Sequence, residues 1–311
     1  MTAAELKRRW NDPEAMRLVR AVRSWLTGQA ARPAGLGEVE GRVDLRGIPL
    51  TASPVMLGDK DDPSAGVVWE SLDLSGAQVE SLRFFGSRIS DCRFDGASVL
   101  GLRLWGTEVS DCSFRRADLR SRALGTPEWR GLPTVWRRVA FDRAQLRESE
   151  FTGSVLEACT FEKTSKLLQL QDCEVIDCTF RGKLDTLLID GRGLSQPVSP
   201  SAFSADFREA VFSDSSITGY VLDRVLLPEQ ADLVVVRRYP EAFRVAAARL
   251  SERAGTEVER RVVAFLEGWA QPPGAEESDC CFDLGPLEGA ENAGFNEALE
   301  RALGLRSLRG R

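Results

Sequence analysis

Cysteine is the residue type in this chain best able to do chemistry, and its placement argues for packing instead. Cys92, Cys112, Cys159, Cys173 and Cys178 fall at no zinc-ligand spacing, and the odd total of seven fits free thiols. Cys280-Cys281, in "EESDCCFD", stands apart from these, and acids flanking a thiol raise its pKa and lower its reactivity. The chain has no histidine. Imidazole acid–base catalysis, Ser-His or Cys-His nucleophile activation and the commonest transition-metal ligand are therefore excluded. Asp91 and Asp111 form a spaced carboxylate pair, but the open surface expected there favours solvation over a shifted pKa. No Gly-rich phosphate loop, metal-ligand cluster or nucleophile elbow is present. The expectation is a non-enzyme without cofactor or metal.

Recognition chemistry is better represented. Arg83, Phe85, Arg103 and Trp105 interleave two cations with two aromatics at a spacing of twenty residues, a pattern suited to anchoring a partner. Trp129 and Trp136, in "GTPEWRGLPTVW", follow the same column on a Pro-bearing loop. They either fold down on Trp105 or extend to a partner. Arg122 occupies a column held elsewhere by Leu82 and Leu102, where the coil opens to release that loop. These seven residues are the candidate binding positions.

The elements that position them follow from an unusual period. Large apolar residues recur every five positions from Trp69 through Leu74, Val79, Phe84 and Ile89 to Leu124, preceded two positions earlier, as far as Ala117 before Leu119, by a smaller or aliphatic partner such as Ala77 or Cys92. Five matches neither the 3.6 of a helix nor the 2 of a flat strand. "SLDLSGAQVESLRFFGSRIS" and "DCRFDGASVLGLRLWGTEVS" then repeat each other over twenty residues, sharing Gly76/Gly96, Ala77/Ala97 and Gly86/Gly106. Four pentads thus return the chain over itself. The spacing predicts that Phe94 stacks on Phe114, that Ala77, Ala97 and Ala117 form a ladder, and that Asp73 faces Arg93, Arg88 faces Glu108 and Asp95 faces Arg115. The phase resumes at Phe141, slips by one residue near Lys166, and continues to Leu222 past a second loop.

Ala117-Asp118-Leu119 and Ala205-Asp206-Phe207, with Gly76-Ala77-Gln78-Val79 close behind, resemble the motif of the pentapeptide-repeat family. The resemblance spans residues 67–222. It implies a mainly β protein: a right-handed, four-sided parallel β-helix of about six coils and about 30 Å. Residues 1–30 are expected as an N-terminal helical cap with Asp12 as N-cap and Pro13 opening the helix. Residues 31–66 are expected as a linker with a stray repeat, with loops at 125–136 and 191–203. Residues 223–311 are expected as a C-terminal helical domain whose second helix opens with a Thr256-x-x-Glu259 capping box, followed by an acidic loop within 272–300 and a basic terminal helix.

A net charge of −6 argues against direct nucleic-acid binding, and no apolar run is long enough for a membrane span. The N-terminus has no secretory pattern, so a cytoplasmic location is expected. The first function expected is a protein-binding scaffold. Members of the resembled family that mimic duplex DNA and protect DNA gyrase imply a second. Residues 67–125 balance eight acids with eight arginines, however, unlike a phosphate backbone. An activity at the solenoid-to-cap junction is the third, and a homodimer through the C-terminal helices is left open.

Overall fold

The computed structural model describes residues 3–50, 55–120, 123–163, 167–194, 201–253, 255–270, 276–285 and 294–305. A chain turning a corner every five residues makes four parallel ladders. On the first face Val68–Glu70, Arg88–Ser90, Glu108–Ser110, Val135–Arg137 and Val155–Glu157 pair in order. The second carries Arg42–Asp44 on Leu72–Asp73, continued by single bridges through Arg93, Ser113, Ala140 and Thr160. Pro49–Leu50 on Gln78–Val79 begins the third. Val55–Leu57, Leu82–Phe85 and Arg103–Trp105 make the fourth.

The inward columns are the expected ones. Phe94 stacks on Phe114 with centroids 4.5 Å apart and parallel planes, and the column continues through Phe141, Phe161, Phe180 and Phe207. Ala77, Ala97 and Ala117 are buried together. The phase slip is real: Ser149 pairs with Leu168 and Thr160 with Thr179, nineteen residues apart, and Leu168 with Leu187 shows a second slip further along. Outward pairing is less regular. Arg88 meets Glu108 at 3.7 Å, but Arg93 turns to Glu40 and Arg115 to Asp142 at 3.1 Å. Asp91 pairs with Arg42, and Asp111 takes two bonds of 2.6 Å from Arg138. The hydrogen bond from Arg138 holds the Asp111 carboxyl below its ordinary range. The spaced carboxylates are thus neutralised by arginines and not by each other.

Three expectations need correction. Residues 42–50 and 55–57 are not linker: they belong to a turn of the stack, with Val43, Leu45, Ile48, Leu50, Val55 and Leu57 buried in the common core. Their period is hidden because the register shifts by two residues between Leu50 and Val55 and residues 58–66 are inserted before the next turn. Trp136 is not a loop residue either. It lies in register with Val109 and Leu156, fully buried, and its Nε1 donates to the Leu124 carbonyl at 3.1 Å. Nor is the C-terminal segment purely helical. Leu233–Val236 and Ser216–Tyr220 both pair antiparallel with Asp279–Asp283, which closes the last turn of the stack.

That closing strand explains Cys280-Cys281. Alternation sends Cys281 into the solenoid core and Cys280 into a second core under the helices. The acids at its ends serve backbone amides: Asp283 accepts from Asp214 (3.0 Å) and Ser215 (2.7 Å), Asp279 from Leu222 (2.9 Å) and Arg238 (3.0 Å). The remaining described part of the expected acidic loop includes a helix, Phe295–Leu303.

Helices cover both ends. Helix α1 spans Ala3–Arg8 and α2 Pro13–Leu26, the latter capped by Asp12, which accepts from Glu14 and Ala15. Val22 and Leu26 enter the solenoid core, and the Leu26 carbonyl accepts from Trp69 Nε1 at 2.9 Å. At the other end α3 (Tyr239–Ser251) and α4 (Glu257–Trp269) form a hairpin, α4 opening with the Thr256/Glu259 capping box, and α5 (Phe295–Leu303) packs on both. No described helix is long and apolar enough to cross a membrane.

Candidate interaction face

The fourth face brings together four of the seven candidate residues. Strand alternation points Leu82, Phe84, Leu102 and Leu104 inward, which turns Arg83 and Arg103 outward in direct register. Phe85 and Trp105 sit one corner along, also in register, their rings stacked 4.5 Å apart with planes 6° from parallel. Parallel rungs impose this geometry, since each residue must lie over its counterpart in the next turn.

The aromatic stack is closed from within. Phe85 is buried, and Trp129 leans over it with centroids 5.8 Å apart. Trp129 and Leu132 exchange backbone hydrogen bonds of 2.9 Å, pinching the tip of the loop before it re-enters the coil at Val135. Gly106 makes this approach feasible. A Cβ there would stand 2.8 Å from Leu132 Cβ and 2.9 Å from Trp129 Cε3, and its φ is +51°. One turn earlier Gly86 has the same φ and lies under Pro63, whose carbonyl would be 2.6 Å from an added Cβ. Arg130 joins the two loops, donating to the Lys60 carbonyl (3.2 Å) and to Asp61 (3.2 Å). The excursions at 58–66 and 126–134 each leave after the fourth face and return on the first face, so both emerge at one edge of the prism.

The Arg83 and Arg103 side chains make no hydrogen bond or ion pair among the described residues, although Arg103 is exposed and Arg83 half-buried. Several arginines elsewhere on the coil are engaged. Arg137 reaches Glu157 at 2.8 Å and Glu108 at 2.9 Å, Arg208 holds Asp206 at 2.7 Å, and Arg192 holds Asp190 at 2.6 Å. The hydrogen bond from Arg208 brings the Asp206 pKa down to about 2. The fourth face thus presents two uncompensated guanidinium groups, one rung apart, beside an aromatic ridge.

Of the remaining candidates, Trp129 belongs to this edge, as the cover of Phe85. Trp136 is sealed in the core and offers nothing to a partner. Arg122 lies outside the described residues. Reading the sequence missed loop 58–66, although Gly86 aligned with Gly106 marked a corner that something approaches closely. Met56, in register with Arg83 and 43% exposed, was missed with the first turn. Burial pushes the Cys173 and Cys281 thiols up to about 12, so neither supplies a nucleophile near neutral pH. Among the described residues no group of three or more Cys, Asp or Glu side chains gathers to hold a metal ion.

Rungs twenty residues apart, built of five-residue sides, decide the repeat class. The fold is a pentapeptide-repeat β-helix. No family model matches the chain, and no curated protein does. Among solved structures it is similar to HetL, a pentapeptide repeat protein involved in heterocyst differentiation regulation from the cyanobacterium Nostoc sp. strain PCC 7120. The identity is 14%, over 61% of this chain and 93% of that one, with a TM-score of 0.25. It is also similar to QnrB1, a plasmid-mediated fluoroquinolone resistance protein, at 16% identity over 56% of this chain and 78% of that one, with a TM-score of 0.24.

Proposed function

We propose that this β-helix is a protein-binding module and that its fourth face is the contact surface, with Arg83 and Arg103 reading carboxylates on the partner. The observation that carries the reading is the register of two arginines without counterions on a rigid ladder. Adjacent rungs hold them about 4.8 Å apart, a spacing that suits two neighbouring acidic side chains. Guanidinium groups bind carboxylates in a fixed, bidentate fork, and a preset pair loses less conformational freedom on binding. Phe85, Trp105 and Trp129 form the ridge that keeps this face stiff. Catalysis is no part of the proposal.

Mimicry of duplex DNA, as in topoisomerase protection, finds less support. It requires an acidic surface, whereas carboxylates such as Asp111, Asp142 and Glu157 are matched by arginines.

The test is affinity capture with the intact protein, an Arg83→Ala/Arg103→Ala variant and an Arg115→Ala control on another face, all checked for folding by circular dichroism. A partner retained by the intact protein and the control but lost by the double variant supports the proposal. Equal capture by all three refutes it.

A further inference from the structure

A second site lies at the N-terminal corner of the stack, adjoining the fourth face through Met56, which is in register with Arg83. The first turn enters on the second face at Arg42, so among the described residues the first face has no rung before Val68–Glu70. Among the described residues that strand pairs only with Arg88–Ser90, and Val55–Leu57 only with Leu82–Phe85. Both are edge strands. Glu38–Val39 covers the beginning of the second face and α2 packs on Pro49–Leu50, which leaves these two edges open.

The backbone geometry there is specific. The Val67 carbonyl accepts from Arg88 at 2.9 Å and the Ser71 N–H donates to Ser90 at 3.1 Å. Alternation along a parallel ladder then turns the N–H and C=O groups of Val68 and Glu70 out of the stack. The Val55 N–H donates to Ser81 at 3.1 Å, which turns the Met56 peptide groups outward in the same way. Both edges border a groove of 570 Å³ lined by Trp25 and Gly28 at the end of α2, and by Met56, Asp59, Gly66 and Val68. Val68 is 64% exposed and Met56 43%. Apolar side chains beside an open edge are a liability that proteins ordinarily cover or charge. The far wall is fixed, since a Cβ on Gly66 would strike the Gly86 carbonyl at 1.9 Å and Arg130 ties loop 58–66 from outside.

Charge selects the occupant. Asp59 lines the groove and Glu70 lies two residues beyond Val68 on its strand, neither with an ion pair among the described residues, while nearby Lys60 is engaged by Asp61 and Arg88 by Glu108. We infer that the groove takes an extended segment of another protein as an added β-strand, one that alternates apolar residues with Lys or Arg. Main-chain bonds to Val68 and Glu70 would supply affinity, and Val68, Met56 and the acidic rim would supply the choice of sequence.

The experiment is amide hydrogen exchange on the intact protein with an eight-residue peptide of alternating Val and Lys, and separately with alternating Val and Glu. The Val-Lys peptide is expected to slow exchange at Val68 and Glu70 by about tenfold, and the Val-Glu peptide to leave it unchanged. Val68→Pro, which removes an edge N–H outside the ladder, abolishes the effect at an unchanged melting temperature. Should that variant fail to fold, Val68→Lys weakens the same binding through charge repulsion. No slowing at Val68 and Glu70, equal slowing by both peptides, or slowing confined to the Arg83/Arg103 face overturns the inference. So does protection that rises with protein concentration in the absence of peptide, which would assign the edge to a second copy of the chain.

Discussion

Trp129 lies over Phe85 with ring centroids 5.8 Å apart, and Phe85 in turn stacks on Trp105 at 4.5 Å. Three aromatics from two rungs and one loop therefore make a continuous ridge at the corner where the insertions at 58–66 and 126–134 leave the coil. The loop is held by shape at Gly106 and by the Arg130 bridge to loop 58–66. Arg83 and Arg103 stand on a face whose neighbouring edge is fixed at both loops.

Glycine at this corner is required by packing more than by dihedral angle. Gly96 has a φ of +63° with nothing within 4 Å of an added Cβ, whereas Gly106 at +51° faces Leu132 and Trp129 below 3 Å. Ser71, Asp91 and Asp111 tolerate comparable angles at other corners. Gly106→Ala should cost about 1–3 kcal/mol and Gly96→Ala less, measured by urea unfolding. Equal costs would mean that the loop does not seat on Gly106.

Trp136 fills the core between Phe114, Phe141 and Phe151. Trp136→Ala should destabilise by about 3–5 kcal/mol, and Trp136→Leu by less, because Leu156 already occupies that column one rung on. The same two variants should capture any partner as well as the intact protein wherever they remain folded.

Legibility in the sequence followed the regularity of the packing. The inward columns could be read because each rung demands one large and one small residue, and the slip near Lys166 showed itself as a change of phase. Trp136 was legible too: it stands five residues before Phe141 with Thr134 as its small partner, but two prolines upstream suggested a loop. Val43, Leu45, Ile48 and Leu50 carry the same spacing, but the register shifts by two residues before Val55 and the insertion at 58–66 follows, so the turn was masked. Asp279–Asp283 was illegible for another reason. Its acids suggest solvent, and only the fold reveals the backbone amides that receive them. Arg83 and Arg103 could be placed on one face, but whether a counterion met them depended on side chains from other rungs.

The closing strand should be the weak point of the C-terminal end. Asp279→Ala leaves the Leu222 and Arg238 N–H groups without their acceptor and should cost about 1–3 kcal/mol. Amide exchange should accelerate at Leu222 and Arg238 first, with rungs such as Phe94 and Phe114 unaffected. Acceleration spread evenly over the stack would argue against a local role.

Alkaline pH should destabilise the fold through its buried thiols. Burial pushes Cys173 and Cys281 up to about 12 from an ordinary 9.0. Above pH 9.0 the unfolded chain releases those protons while the folded chain retains them. Stability is thus fully present below the unfolded value and is lost as pH rises toward the folded one, by up to about 1.4 kcal/mol per pH unit per thiol. Urea midpoints taken from neutral pH to about pH 11 should fall, and more gently for Cys173→Ala. An unchanged slope in that variant would remove Cys173 from the explanation.

Arginine-selective dicarbonyl labelling read by mass spectrometry, on the protein alone and bound to its captured partner, tests the central claim most directly. The account predicts that Arg83 and Arg103 label faster than Arg115 in the free protein, since Arg115 is held by Asp142 at 3.1 Å. Both should then become protected in the complex while Arg115 is unchanged. Slow labelling of Arg83 and Arg103 in the free protein, or undiminished labelling in the complex, would contradict it.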